Sequence, residues 1–265
     1  MNEMAPAPAS PARPQLVRLV TYNVHGCVGA DGRLSEERVA EVVSGADADV
    51  IALQELDVGR ERSNREHQPE IIARLLGMSF LFCSTVRHGA GHYGHALVSK
   101  YPLRLVRSSA LPGLTWPRSS EPRHAMWAEA DLGGVPVQVI CTHLGLSPRE
   151  RYLQASTLLG EAWMRHPRYT GARVLCGDLN AGPRSLTYHR LRLRMSDVQV
   201  AAPGHEKPRP TFPGRFPMFR IDHVFASHEL RVRHTEVIAT SLARKASDHL
   251  PLLVDLELTS ARIAE

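Results

Sequence analysis

The chain lacks any long apolar run. No stretch of about 18 or more apolar residues occurs in it, which excludes a membrane-crossing helix. Its first residues, MNEMAPAPASPARPQ, contain no apolar segment of the kind a secretory signal needs. That Pro/Ala-rich stretch cannot bury enough apolar surface to fold, so residues 1–14 are expected to form a disordered tail. Cysteine is scarce: Cys27, Cys83, Cys141 and Cys176 form no CxxC pair and no zinc spacing. They read as small buried hydrophobes in a reducing, cytoplasmic compartment. Lysine is scarcer still, with only Lys100, Lys207 and Lys245. There is no GxxxxGK[ST] loop, no GxSxG elbow and no HExxH helix. Those absences disfavour triphosphate-driven motors, serine esterases and zinc proteases.

What is present is an arginine-rich, net +5 chain of 265 residues with 43% hydrophobic content. Arginine forks suit phosphate groups, although solvated surface charge explains the same balance. No basic run or basic-aromatic stripe marks a nucleic-acid surface. Strand-like and helix-like patterns alternate without a linker, from a strand at Leu16 to Val24 to another at Leu252 to Leu256. Leu34 to Val43 and Ile71 to Leu76 have helical periodicity, the second stopped by Gly77. Trp127 to Leu132 and Val135 to Cys141 predict a hairpin around Gly133-Gly134. Ser147-Pro148-Arg149-Glu150 predicts a helix start with a capping box, the helix burying Leu153, Leu158, Leu159 and Trp163. The pattern predicts an α/β fold, with residues 15–265 as a single domain around a mixed sheet.

The chemistry gathers at strand ends. Apolar runs lead into Asn23, Glu55, His143 and Asp178-Leu179-Asn180, and Asp248-His249 begins another such segment. A further run holds Asp222 and His223 within the strand itself. A carboxylate against apolar residues costs several kcal/mol unless it is paired or metal-bound. One such case is commonly structural, but six indicate convergence on one site. The donors are carboxylates, amides and imidazoles, which suit Mg²⁺ or Mn²⁺.

The segments TYNVHG (21–26), LQE (53–55), CTHL (141–144), GDLN (177–180), IDHVF (221–225) and SDHLPL (247–252) carry a resemblance. In that order they resemble the endonuclease/exonuclease/phosphatase superfamily, whose members include DNase I-like nucleases, neutral sphingomyelinases and inositol-phosphate phosphatases. The resemblance implies a four-layer α/β/β/α sandwich: two packed mixed β-sheets flanked by helices. It also implies roles. Glu55 is the expected principal metal ligand, with Asn23 beside it and Asp248 as a further metal-site carboxylate. His249 is expected to activate water or stabilise the transition state, oriented by Asp222. Asp178 and Asn180 are expected to position the nucleophile and hold a phosphate oxygen. His143 is expected to protonate the leaving group or bind phosphate, and Arg123 to bind phosphate. Arg62-Ser63 matches a pair found in small bacterial members. His95 stands where relatives commonly have Asn, so no role is carried over to it. Strand alternation sends His223 to the face opposite Asp222. His88, His92, His189 and His205 belong to no motif and read as surface residues.

The resemblance leaves the ester open. A CTHL-type site without DNA-gripping insertions points to a phosphodiester of a small or lipid-linked substrate. A DNase-like nuclease and a sugar or inositol phosphate phosphatase are the alternatives, and a non-catalytic binding module is a third. The expected partner is the phosphate-ester substrate, with nucleic acid not favoured, no membrane span and a monomeric state.

Overall fold

The computed structural model describes residues 16–114, 121–168, 171–204 and 207–259. The expected tail at 1–14 and His205 lie outside the described residues. The first half runs β1 (Leu16–Asn23), α1 (Glu36–Ser44), β2 (Val50–Val58), α2 (Gln68–Leu76), β3 (Ser79–His88), β4 (Gly91–Ser99) and β5 (Leu103–Ala110). The second runs β6 (His124–Asp131), β7 (Pro136–His143), α3 (Pro148–Leu158), β8 (Arg173–Asp178), α4 (Leu186–Arg192) and β9 (Ser196–Asp197). Then come α5 (Val198–Ala201), β10 (Asp222–Ala226), β11 (Leu230–Val237), α6 (Ser241–Ala246) and β12 (Leu252–Leu258).

The strands form two six-stranded sheets, in the orders β11-β12-β1-β2-β4-β3 and β5-β6-β7-β8-β10-β9. Each is mixed, with one parallel pair near its centre: β1 with β2, and β7 with β8. The sheets pack face to face, with helices outside. Helices α1, α2 and α6 cover the first sheet, and α3 and α4 cover the second. No helix among the described residues is long and apolar enough to cross a membrane.

The period of two along the strands sorts the second sheet into two layers. Val137, Val139 and Cys141 of β7, Val174 and Cys176 of β8, and Val224 and Ala226 of β10 join a buried cluster shared with the first sheet. Their neighbours Ile140, Leu175 and Phe225 point outward, against Ala155 and Leu158 of α3 and Tyr188 and Leu191 of α4. By the same parity His143, Asp178 and Asp222 extend the inter-sheet layer. His223 shares the outer face with Phe225, and its Nε2 meets the Ala181 carbonyl at 2.8 Å.

Local signals explain several element ends. Ser35 Oγ accepts from Arg38 N at the start of α1, and Gly77 closes α2 in the left-handed conformation. The predicted hairpin forms between β6 and β7, with Leu132 to Val135 in the turn and not in the strands. Helix α3 departs from expectation in three respects, the first being that it ends at Leu158, so that Trp163 is buried from the turn beyond it. Ser147 makes no side-chain cap, and Glu150 instead accepts from Gln154 Nε2 at 3.2 Å. Gln154 Oε1 takes the Gly145 N–H at 2.9 Å, which fixes the chain entering the helix without capping its first turn. Leu153 is 45% exposed, because the buried stripe runs through Glu150, Gln154, Ala155 and Leu158, a quarter turn away.

Gly177, one residue before Asp178, has φ +135°, and a Cβ there would lie 1.8 Å from the Thr142 carbonyl oxygen of the neighbouring strand. Only glycine lets β7 and β8 stay this close beside the site. Gly177→Ala is expected to lower stability by more than about 2 kcal/mol, measured by chemical denaturation. A variant as stable as the parent would contradict this account.

Candidate active site

The inter-sheet layer ends at the C-terminal ends of the two parallel pairs, where it turns polar. Thr21, Gln54 and Cys141 are its last structural members: Gln54 Nε2 donates to Thr21 Oγ1 (3.2 Å), the Ala52 carbonyl (3.0 Å) and, across the sheets, Cys141 Sγ (3.3 Å). Since Gln54 faces the partner sheet, Glu55 would ordinarily face away. A β-bulge prevents this. The β2–β4 register passes from Leu53↔Ala96 to Leu56↔Gly94, and Glu55 sits at φ +63°. The bulge turns two successive side chains to one side. Such a conformation costs a non-glycine residue about 1–3 kcal/mol and is concentrated at functional sites. Asn180, at φ +48°, carries similar strain.

Asp178 is at the centre. It is 2% exposed and its neighbours by register are His143 on β7 and Asp222 on β10. Its Oδ1 accepts Asn180 N at 2.8 Å and its Oδ2 accepts Asn23 Nδ2 at 3.1 Å. Asn23 Nδ2 also donates to Glu55 Oε1 at 2.9 Å, while its own oxygen accepts His25 N at 3.1 Å. One amide thus clamps two carboxylates. His143 Nε2 lies 3.3 Å from Asp178 Oδ2 and its Nδ1 lies 3.6 Å from Glu55 Oε1. Asn180 Nδ2 donates to the Leu144 carbonyl (3.0 Å) and to His143 Nε2 (2.9 Å), which leaves the imidazole proton on Nδ1, facing Glu55.

On the other side, His249 Nδ1 bonds Asp222 Oδ2 at 2.8 Å, and its Nε2 points to Asp178 Oδ2 at 3.7 Å. Thr211 Oγ1 donates to that same Asp222 oxygen. Ser247 Oγ donates to the Asn23 carbonyl (2.8 Å) and accepts His249 N (3.2 Å), tying this loop to the end of β1. The Phe212 ring lies 4.7 Å from the imidazole.

Burial and charge set the protonation states. Burial, then the Asp222 charge, push Asp178 up to about 7 against the opposing pull of His249. Burial disfavours charged His249, yet the charge and hydrogen bond of Asp222, with Asp178 and Asp248, outweigh it and hold the imidazole at about 10. His143 is held well below its usual value by burial and by Arg123, His95 and His249. His95 falls to about 3 through burial and the nearby Arg123 charge. The site therefore pairs a charged histidine with a neutral one.

The cleft above these groups has a volume of about 640 Å³. Arg123 lines it at 5% exposure, paired with Glu121 at 3.2 Å, so it is a buried wall residue and not part of a surface ion pair. Asp248 lines the cleft on the side of His25, whose Nδ1 is 3.9 Å from it. The donors fit a hard divalent cation. Glu55, His143 and Asp178 present ligand atoms within 4.8 Å of one another, and so do Asp178, Asp222 and His249. Asp248 belongs to neither group. Burial, and after it the Asp222 charge, raise Asp178, and Asp222 Oδ1 is buried without a partner, so a cation beside them would relieve unsatisfied negative groups.

Sequence reasoning missed several neighbours. Tyr93 lines the cleft beside Glu55, and burial followed by the Glu55 charge drive its hydroxyl pKa upward. Thr211 lies in a loop, 11 positions from Asp222, where no spacing rule applies. Asp57, Arg60 and His88 also reach the cleft. Asp57 stands two residues after LQE, which was the available signal.

The model of the Endonuclease/Exonuclease/phosphatase family matches residues 20–249. The chain belongs to this family. Members of the family are hydrolases of phosphate esters and generally use a divalent metal. The chain is 25% identical over 253 residues to the uncharacterized protein YbhP of Escherichia coli (strain K12), covering 91% of this chain and 96% of that protein. An endonuclease/exonuclease/phosphatase structure from Beutenbergia cavernae shares the fold, with a TM-score of 0.75, 24% identity and coverage of 94% of this chain and 73% of that one. So does a mannosyl-6-phosphatase of Bacteroides thetaiotaomicron, with a TM-score of 0.72, 18% identity and coverage of 91% and 99%.

The protonation pattern has a direct test in metal-free protein. His249 is raised above its free value, so its pairing contributes stability fully below about 6.5 and loses it as pH rises through about 10. Proton NMR should therefore show His249 still charged at pH 8. In Asp222→Asn, burial dominates and the transition should drop to or below the free value. A parent imidazole that titrates near 6.5 would contradict the assignment.

Proposed function

We propose that the protein hydrolyses a phosphodiester of a small or lipid-linked substrate, with Mg²⁺ or Mn²⁺ held at Glu55 and Asp178. Asn23 orients those carboxylates and Asp248 adds negative charge at the cleft mouth. The observation that carries this reading is the position of Asp178. It is shared by the Glu55–His143 group and the Asp222–His249 group, so metal-type donors and an acid-base pair meet at one atom. When bound, a divalent cation supplies charge neutralisation at phosphoryl oxygens.

The chain's own residues do the rest. Asp178 and Asn180 orient the attacking water, and Asp178 accepts its proton as the new O–P bond forms. His249, kept charged by Asp222, presents its Nε2 proton to the developing phosphoryl charge or the leaving oxygen. His143, held neutral, donates a hydrogen bond to phosphate and does not serve as the acid. Arg123 neutralises a phosphate oxygen from a dry wall, where its charge is strongest. The cleft volume suits a head-group-sized substrate. A second reading is a sugar phosphate monoesterase, which the fold shared with a mannosyl-6-phosphatase favours.

Glu55→Gln and His249→Ala are expected to cut kcat on bis(p-nitrophenyl) phosphate by roughly 10²–10⁴-fold while leaving the fold intact. Excess EDTA should abolish turnover, and full activity in EDTA would end the metal proposal. ³¹P NMR of the products separates the two readings: a new monoester marks the diesterase, and free phosphate from a monoester marks the rival.

Metal binding should also be linked to protons. With Asp178 at about 7, a cation must displace a proton below that pH and need not do so above it. Calorimetry in buffers of differing ionisation enthalpy should show weaker Mg²⁺ binding with proton release at pH 6, and no release at pH 8.5. An affinity independent of pH would contradict this.

A further inference from the structure

The cleft does not end at the phosphate wall. A second cavity of about 580 Å³ opens beside it, and Arg60, Arg62 and His88 line both spaces. The charge beneath these arginines is unusual, while Glu61 and Arg65, which also line the second cavity, pair with each other at 3.0 Å. Asp57 is 1% exposed and accepts Arg62 Nε (2.6 Å) and Nη2 (2.9 Å) as well as Arg60 Nη1 (3.1 Å). One guanidinium satisfies one buried carboxylate. Here two share it, so one positive charge is left uncompensated, and Arg60 Nε and Nη2 and Arg62 Nη1 keep N–H donors beyond the bonds to Asp57.

Both arginines are fixed. Each guanidinium stands over the Tyr93 ring, at 5.8 Å for Arg60 and 5.6 Å for Arg62, and Tyr93 also lines the catalytic cleft. A Cβ on Gly91 would fall 2.8 Å from both Arg60 Cγ and the Gly59 carbonyl oxygen, so the backbone presses the Arg60 stem into place and leaves no room for a side chain in the cavity floor. Fixed guanidinia lose little entropy when they grip an anion. The Arg62 side chain is 54% exposed, so its free edge is reachable from solvent.

We infer that Arg60 and Arg62 form a second anion site, which receives a phosphate group of the substrate other than the one that is cleaved. The substrate class is accordingly a small molecule or head group bearing two phosphates. The inference rests on the phosphoesterase reading for which phosphate is cleaved, and on geometry alone for the anion site.

Binding to metal-free protein tests it. Thymidine 3′,5′-bisphosphate is compared with thymidine 5′-monophosphate by calorimetry. A second pair, glycerophosphoinositol with and without a 4-phosphate, separates a nucleotide source from a head-group source. A preference of roughly 10- to 100-fold for the doubly phosphorylated member of either pair is expected, as for charge-assisted hydrogen bonds. In Arg60→Gln, which keeps a hydrogen bond to Asp57 without the charge, that ratio should collapse toward one. Arg62→Lys, which keeps a charge but loses the fork, should lower it partway, and circular dichroism verifies folding of both variants. Equal affinities within both pairs, or a ratio unchanged in Arg60→Gln, would overturn the inference. Hydrolysis of thymidine 5′-(p-nitrophenyl phosphate), with and without a 3′-phosphate, keeps the two ideas apart. Binding preference without hydrolysis removes the phosphoesterase reading and keeps the anion site. Hydrolysis without binding preference does the reverse.

Discussion

Three carboxylates, Glu55, Asp178 and Asp222, are brought together at the end of the inter-sheet layer, and much of the surrounding structure makes that crowding tolerable. Asp178 and Asp222 face each other directly across β8 and β10, both almost fully buried. Like charges in such a place repel and lose their hydration at once. The remedies are local and specific. Asn23 donates to Glu55 and Asp178, the Asn180 N–H caps Asp178, and Thr211 with His249 saturates one oxygen of Asp222. They are incomplete, since Asp178 still rises to about 7. In the proposed mechanism, that remaining negative charge is what a bound cation would neutralise.

The backbone shares the load. Glu55 reaches the site only because β2 bulges and the residue adopts positive φ, and Asn180 does likewise after β8. Gly177 allows β7 and β8 to approach until His143 and Asp178 meet. Strain at two points, Glu55 and Asn180, is offset by the packing of both sheets, whose shared core is continuous beneath the site. Stability is therefore supplied away from the cleft, and the site draws on it.

Much of this was legible in sequence because strand parity and strand ends are local properties. Central strands such as β1, β2, β7 and β8 have continuous apolar runs, and their terminal polar residues stand out. The order of the short segments pointed to the family and so to the two-sheet sandwich. The edge strands β5 and β11 were not legible. Their burial alternates weakly, since solvent on one side removes the constraint that makes a strand visible. Leu153 misled because a helix stripe can shift by a quarter turn when a polar residue such as Gln154 takes the buried position. Thr211 and Tyr93 stayed silent for another reason: their contacts join segments whose separation follows no rule of spacing.

The division of the site between the sheets has a further consequence. Asn23 ends β1 and Glu55 sits at the bulge within β2, both in the first sheet, and His249 precedes β12 of that same sheet, whereas His143, Asp178 and Asp222 belong to the second. Neither half holds a complete set of donors or a complete acid-base pair. The site is complete only when the halves dock in register, and a slip of one strand residue, about 3.3 Å, would separate the pairs that cross between them: Asn23 with Asp178, Glu55 with His143 and Asp222 with His249. A single formed sheet therefore carries only half of the site, and the complete set of donors exists only in the assembled two-sheet fold.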